Sequence, residues 1–328
     1  MKKFKKITFI ILVIIIVAIG ILLSYVKFVL PDTGKAQDLK FDYTPERIER
    51  GHYLATSVCV CMDCHSSRDW TKFSGPLSTG TLGKGGERFG REYGFPGEYF
   101  SKNITPFGIS RYTDGELYRV ITTGVTKEGK ALFPVMPYIY YGSMDPDDIK
   151  CIIAYIRSLP GIESKVPNSE SDFPMNFIIN LIPKKSNPQK IPSKENKIAY
   201  GAYLTNAAGC IECHTQAEKG QIIREKAFGG GREFPIINGN GAIVRSANIT
   251  PDKKTGIGNW TQEAFIARFK IYSDTSINLP VIKPGEFNSI MPWTMYTHMN
   301  NEDLAAIYSY LHSLKPIENT VVKFSPKL

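Results

Sequence analysis

The chain has 328 residues, of which 42% are hydrophobic and 22% are charged. This composition excludes an intrinsically disordered chain, and the length allows about two domains of ordinary size. The formal net charge is +9, but residues 1–35 contain six lysines and one aspartate, so only +4 belongs to the remaining 293 residues. The basic character is concentrated at the N-terminus, and it therefore gives little support to a nucleic-acid-binding function.

The first predicted element is a transmembrane helix. Ile7–Val26 is a run of 20 uncharged, mostly aliphatic residues that follows the basic segment Lys2–Lys6. At about 1.5 Å per residue, such a helix spans the roughly 30 Å hydrocarbon core of a bilayer. A cleaved signal peptide is the alternative, but the run is long and Ser24–Phe28 offers no small-residue cleavage site. We expect an uncleaved single-pass anchor in the cytoplasmic membrane, with the following chain on the periplasmic or outer side.

The pattern C-x-x-C-H, the attachment signature of c-type haem, occurs twice. Its residues are Cys61, Cys64 and His65 in the first copy, and Cys210, Cys213 and His214 in the second. Cysteines three residues apart lie on one face of a helical turn, where both can bond one porphyrin edge, and the following histidine can ligate the iron. A four-cysteine zinc site and a thioredoxin-like redox pair are the alternatives. Neither requires a histidine directly after both cysteine pairs, so the sequence favours two covalently bound haem c groups.

These motifs belong to a longer unit that is present in two copies, which indicates a duplication. The matched pairs are 51–54 with 201–204, 86–89 with 231–234, 103–106 with 248–251, 136–138 with 291–293, and 148–159 with 303–314. Each copy is predicted to be mostly helical. The predicted helices are Arg47–Ser57, a helix opened by the capping box Thr113–Glu116, Asp145–Leu159, Lys197–Ala207, a helix capped by Thr261, and Asn300–Leu314.

The segment between the copies is rich in Pro, Ser and Lys and is predicted to be an interdomain linker. Its apolar stretch Phe173–Ile179 is expected to pack on a domain surface. The resulting division is an anchor at 1–30, a linker at 31–45, a first domain at 46–160, an interdomain linker at 161–195, a second domain at 196–318 and a tail at 319–328.

Each copy has a methionine that can supply the second axial ligand. Met136 follows His65 by 71 residues and Met291 follows His214 by 77, and each precedes a proline and an aromatic residue. A thioether suits low-spin haem iron, and a proline-rigidified loop can present it. Met144 and Met299, at matching positions before the final helices, and His298 are the alternative ligands.

The remaining cysteines, Cys59 and Cys151, are not expected to bind haem. In an oxidising compartment they can form a disulfide or remain two thiols, and the sequence leaves both possibilities open.

The order of motifs, from C-x-x-C-H through Asn-Ile-Thr-Pro and Met-Pro-Trp to the final helix, resembles that of class I cytochromes c. It is most similar to the multihaem cytochrome subunits of membrane-bound alcohol and aldehyde dehydrogenases, over about residues 46–318. The resemblance implies two tandem class I cytochrome c domains, with the axial methionine falling on Met136 and Met291. It also implies that the carbonyl of Pro76 accepts the N–H of His65. The second copy has no equivalent proline.

The combined pattern predicts an electron-transfer protein without catalytic residues. Two haems on a tethered chain would carry electrons from a membrane dehydrogenase or quinol-linked complex to a terminal oxidase or soluble cytochrome. A dihaem peroxidase is the alternative, and it would need one open iron with acid–base groups beside it. Two Met-Pro loops and only five histidines favour the carrier. A haem-based sensor is less consistent with the sequence, because no cytoplasmic output domain is recognisable.

Overall fold

The structure is a computed structural model that describes residues 2–236, 241–273 and 279–326, and it is mostly helical. Met1 and residues 327–328, which belong to the predicted anchor and tail, lie outside the described residues. The first helix, α1 (Lys2–Phe28), is long and apolar enough to cross a membrane. Its described side chains are exposed, except for that of Val26.

Apart from the short helix at Pro106–Ile109, the helices that follow have the same order in the first half (residues 45–160) and the second half (residues 196–318). In the first half they are α2 (Pro45–Tyr53), α3 (Cys61–Cys64), α4 (Pro106–Ile109), α5 (Asp114–Thr123), α6 (Tyr138–Tyr141) and α7 (Pro146–Ser158). The helix α8 (Met175–Ile178) lies between the two halves in the sequence. In the second half they are α9 (Lys197–Ala207), α10 (Cys210–Cys213), α11 (Gln262–Lys270), α12 (Trp293–Tyr296) and α13 (Asn301–His312).

The helix termini confirm the predicted capping residues. Thr113 and Glu116 form a reciprocal capping box at the start of α5, and the Thr261 side chain accepts from the Ala264 N–H at the start of α11. Asn300 caps α13 in the same way. The predicted helix 47–57 has a different last turn, because α2 continues into a π-helical turn at Leu54–Val58. Each cap satisfies backbone donors that a helix start leaves unpaired.

In each half the first and last helices cross at a glycine. A Cβ on Gly51 of α2 would lie 1.8 Å from the Cys151 carbonyl oxygen of α7, and a Cβ on Gly201 of α9 would lie 1.9 Å from that of Ala306 in α13. Only a residue without a side chain permits such an approach. The duplicated glycine thus sets the spacing of the same helix pair twice.

Each half also carries a small antiparallel sheet whose third strand comes from beyond the final helix. The strands are β1 (Arg88–Phe89), β2 (Gly97–Phe100) and β3 (Glu170–Ser171) in one sheet. A hairpin of β4 (Ala217–Glu218) and β5 (Gln221–Ile222) follows. The other sheet is built of β6 (Glu233–Pro235), β7 (Ile243–Arg245) and β8 (Phe324–Ser325). The predicted linker and tail therefore each contribute a strand.

The two halves pack together through reciprocal tyrosine–aspartate contacts. The Tyr53 hydroxyl donates to Asp303 (2.6 Å), and the Tyr203 hydroxyl donates to Asp148 (2.6 Å). Burial and the neighbouring carboxylate raise the pKa of Tyr53, so its hydroxyl remains a donor at physiological pH. Buried apolar side chains of both halves belong to one cluster, which makes the interface part of the hydrophobic core.

The apolar stretch of the linker does not pack as expected. Phe173 is 82% exposed, and α8 with the 3₁₀ turn Ile179–Leu181 contacts the C-terminal part of α1. The sequence pattern indicated an apolar contact, but it could not indicate that the contact would be with α1 and would leave the Phe173 side chain uncovered.

Candidate haem-binding sites

Both C-x-x-C segments form a single helical turn that begins after a left-handed residue. That residue is Val60 (φ 44°) before α3 and Gly209 (φ 63°) before α10. The histidine N–H then donates to the carbonyl of the first cysteine, at 3.0 Å in the first half and 2.9 Å in the second. The cysteines of each pair therefore share one face of the turn, and the histidine follows at its C-terminal end, as the sequence predicted.

Each of these histidines is oriented by a backbone carbonyl. His65 Nδ1 lies 2.6 Å from the Lys102 oxygen, and His214 Nδ1 lies 2.8 Å from the Ala247 oxygen. The expectation that Pro76 accepts from His65 is therefore wrong, because the Pro76 oxygen instead accepts from the Asp69 N–H. With Nδ1 occupied by a carbonyl, Nε2 is left as the nitrogen that can ligate a metal.

A glycine makes this approach possible in both halves. The N–H of Gly85 donates to the His65 carbonyl and that of Gly230 to the His214 carbonyl. Both glycines have positive φ, and a Cβ on Gly85 or Gly230 would come within 2.5 Å of the peptide that carries the orienting carbonyl. The glycine-rich loop therefore has a specific role, which is to bring that peptide next to the histidine.

The Asn-Ile-Thr-Pro motif fixes the residue that carries the orienting carbonyl. Asn248 Oδ1 accepts from the backbone and the hydroxyl of Thr250, while its Nδ2 donates to the Ile317 carbonyl (2.7 Å). Asn103 makes the same bonds to Thr105 and to the Ile162 carbonyl (2.8 Å). Lys102 and Ala247 directly precede these asparagines. The repeated motif was the sequence signal that could have identified both carbonyls.

The Met-Pro loops lie beside the C-x-x-C turns of their own halves. The hydroxyl of Tyr141, five residues after Met136, donates to the Cys59 carbonyl (3.1 Å), and that of Tyr296, five residues after Met291, donates to the Ala208 carbonyl (2.9 Å). Each acceptor precedes its C-x-x-C turn by two residues. Met136 and Met291 are partly buried. This arrangement joins the helix after each Met-Pro pair to the segment just before the C-x-x-C turn of the same half.

The alternative ligand positions have other environments. Met144 and Met299 are each 1% exposed and belong to the hydrophobic core, whereas His298 is exposed. Cys59 and Cys151 are buried free thiols, and the Cys59 thiol lies 3.9 Å from the Met144 sulfur. Burial raises the pKa of both thiols, which keeps them neutral.

Each Met-Pro loop also contacts the other half. The Ser74 hydroxyl donates to the Met291 carbonyl (2.7 Å) and accepts from the Trp293 N–H (3.0 Å). In the opposite direction, the Tyr140 hydroxyl donates to Glu212, which lies within the second C-x-x-C turn. The Glu212 carboxylate also pairs with Arg232. The two candidate sites are therefore joined by hydrogen bonds across the interface.

The residues present fit a haem c group in both halves. The donor set combines two thiols on one helical face, an imidazole and a nearby thioether. Burial lowers the pKa of His65 and of His214, which favours the neutral imidazole that an iron ligand requires. In both halves a backbone carbonyl, rather than a charged side chain, fixes the imidazole orientation through Nδ1.

Comparison with known proteins identifies a family for part of the chain. The family model for cytochrome c matches residues 198–315. The chain contains a cytochrome c domain. The chain as a whole is similar to a gluconate 2-dehydrogenase cytochrome c subunit of Pantoea cypripedii, with 26% identity over 81% of this chain and 59% of the relative. The cytochrome c subunit of a quinone alcohol dehydrogenase from Gluconacetobacter polyoxogenes is 27% identical over 82% of this chain and 56% of the relative.

A diheme cytochrome c-type protein of Cereibacter sphaeroides is 28% identical over 79% of this chain and 83% of its own length. The chain thus spans little more than half the length of the dehydrogenase subunits that it matches, but most of the length of the diheme cytochrome. The family model covers the second C-x-x-C-H motif, and the details of each site rest on its own geometry.

Proposed function

We propose that this protein is a membrane-anchored dihaem c-type cytochrome with two tandem class I domains after a transmembrane helix. The observation that carries the proposal is the duplicated geometry: both C-x-x-C-H histidines have their Nδ1 on a backbone carbonyl, and both Met-Pro loops are tied by a tyrosine to the adjoining segment. The same two contacts occur in both halves, which supports two haem sites of one kind.

In this proposal each half holds one haem with its own residues. Cys61 and Cys64 form the thioethers of the first site, with His65 and Met136 as axial ligands. Cys210 and Cys213 form those of the second, with His214 and Met291 as axial ligands. Haem c supplies reversible one-electron chemistry at iron. The histidine and methionine of each half would both ligate its iron, which would limit reorganisation and exclude substrates.

The partners follow from the relatives and from α1. Gluconate and quinone alcohol dehydrogenases use the related cytochrome c subunits. We propose a membrane dehydrogenase or a quinol-linked complex as the electron donor, and a terminal oxidase or another cytochrome as the acceptor. Anchoring through residues 7–26 would hold the haem domains on the periplasmic side of the cytoplasmic membrane and restrict encounters to its surface.

Carbon monoxide binding tests the proposed ligation of both irons. We expect little spectral change when carbon monoxide is added to the fully or half-reduced holoprotein, and no sustained consumption of hydrogen peroxide, because methionine occupies the sixth position in both halves. Rapid carbon monoxide binding at one haem together with peroxide turnover would contradict the carrier and favour a peroxidase. Binding without turnover would instead contradict one methionine assignment.

A further inference from the structure

The linker between the halves exposes an apolar segment at residues 173–181. Phe173 is 82% exposed, Leu181 is 54% exposed and Ile178 is 41% exposed. The segment is locally ordered, since it contains α8 and the 3₁₀ turn Ile179–Leu181. The rings of Phe173 and Phe177 pack edge to face, with their centroids 6.4 Å apart. A contiguous apolar surface of this kind marks a site of interaction with a protein or a membrane.

The position of the segment indicates which of these it contacts. Both α8 and the turn after it pack against α1, and Val26 of α1 is only 8% exposed. The Lys27 ammonium lies 5.5 Å from the centre of the Phe177 ring. The segment therefore adjoins the C-terminal end of the helix that is long enough to span a bilayer.

That end of α1 is where a membrane surface would lie. The uncharged run of 20 residues ends at Val26, and at about 1.5 Å per residue it fills the roughly 30 Å hydrocarbon core, so Lys27 would lie at the headgroup level. Phe28 is 83% exposed at the same level. Exposed phenylalanines and leucines beside lysines are typical of segments that lie in the membrane–water interface.

We infer that residues 173–181 insert into the outer interface of the phospholipid bilayer beside α1 and form a second membrane contact of this chain. The inference rests on the proposed anchoring by α1. Continuity with α1 and the exposed lysines of the same region, Lys27, Lys184 and Lys185, favour anionic phospholipid over a protein partner. The second contact would hold the junction between the halves against the membrane and limit rotation about the end of α1.

Site-specific photocrosslinking of the full-length holoprotein tests this inference. The protein is reconstituted into vesicles of phosphatidylethanolamine and phosphatidylglycerol, with p-benzoylphenylalanine replacing Phe173 in one variant. Ile15, within α1, is replaced in a second variant, and Val281, which is 72% exposed in the second half, is replaced in a third. All three positions are exposed, so the substitution does not disturb the core.

We expect the yield of phospholipid adduct at position 173 to be within about threefold of that at position 15 and at least about tenfold above that at position 281. Lipid adducts at position 15 without adducts at position 173 would overturn the interfacial contact and leave the anchor standing. Absence of lipid adducts at both positions would overturn the anchor as well. A protein adduct at position 173 in native membranes, in place of lipid, would assign the segment to a protein partner instead.

Discussion

At the scale of single residues, the two methionine pairs are distinguished by their burial. Met299 belongs to the core and is 1% exposed. Met291 is partly buried in a loop near Tyr296, whose hydroxyl donates to the segment before the second C-x-x-C turn. A ligand must reach a cofactor, while a core methionine fills space among other side chains. The same contrast exists between Met144 and Met136.

Replacement of Met291 by alanine should therefore alter the second haem without releasing it. Loss of the thioether should lower its reduction potential by on the order of 0.1 V, since axial ligands tune haem potentials over about 0.8 V. The matched variant Met299→Ala should leave the spectrum unchanged and lower the free energy of unfolding by about 2–5 kcal/mol. Spectroelectrochemical titration and urea unfolding measure these effects. The reverse pattern would assign Met299 as the ligand.

Gly230 offers a test of how the proximal histidine is oriented. In Gly230→Ala the new Cβ would lie 2.4 Å from the Asn248 nitrogen, which must displace the carbonyl that accepts from His214. A weaker bond at Nδ1 makes the imidazole a poorer donor to ferric iron, so the potential of the second haem should rise. Spectroelectrochemistry of the purified variant measures this shift.

Gly220→Ala is the control for that variant. Gly220 has a similar φ of +78°, but nothing lies within 4 Å of its Cβ position. Both variants should lose about 1–2 kcal/mol from the strain of a left-handed alanine, and only Gly230→Ala should change the potential. Equal potentials in the two variants would show that the Ala247 carbonyl does not tune the haem.

At the scale of secondary-structure elements, the helix crossing in each half depends on one glycine. Gly201→Ala would place a Cβ 1.9 Å from the Ala306 carbonyl oxygen, so α9 and α13 must separate. Overpacking of this kind costs about 1–3 kcal/mol, and separated backbones add to that cost. We expect a lower midpoint of urea unfolding for Gly201→Ala. Gly161→Ala, whose nearest neighbour would be 3.7 Å away, should unfold like the unmodified protein.

The elements were largely predictable from the sequence, because their signals are local. The capping box at Thr113 and the helix Lys197–Ala207 were predicted with the observed limits, since side-chain caps and apolar spacing operate within a few residues. The carbonyl acceptors of His65 and His214 were not predictable in this way. Each lies 33 to 37 residues from its histidine, and only folding brings it there.

At the scale of the whole molecule, the contacts between the halves are of two kinds. The Tyr53–Asp303 and Tyr203–Asp148 bonds connect residues that the repeat already pairs, so they follow the internal symmetry. The contact of Ser74 with the Met291 loop does not follow this symmetry. The corresponding contact from the Met136 loop to the second half joins different residue types, Tyr140 and Glu212. Sequence repetition could not indicate these contacts, which depend on how the two halves are turned relative to each other.

The Ser74 contact predicts that a residue of the first half tunes the haem of the second. In Ser74→Ala the Met291 carbonyl and the Trp293 N–H keep their bond to each other (2.8 Å) but lose the Ser74 hydroxyl, which should weaken the interface by about 0.5–1.5 kcal/mol. A loosened Met291 loop gives a weaker iron–sulfur bond, so the second haem should have a lower potential while the first is unchanged. The two haems are distinguished in the titration by comparison with Met291→Ala.

Ser158→Ala provides the control, because within the part of the chain that the structure describes the Ser158 hydroxyl donates only to the Tyr155 carbonyl of its own helix. It should change neither potential. If the Ser74 and Ser158 variants behave alike, the hydrogen bond at Met291 is a packing contact without influence on the haem. Ser74→Ala could instead shift the potential of the first haem. In that case the loop Trp70–Gly75 acts through Arg68, which donates to the Ser74 carbonyl and pairs with Asp63 in the first C-x-x-C turn. A selective shift in the potential of the second haem would mean that this potential depends on the interface between the halves as well as on the residues of its own site.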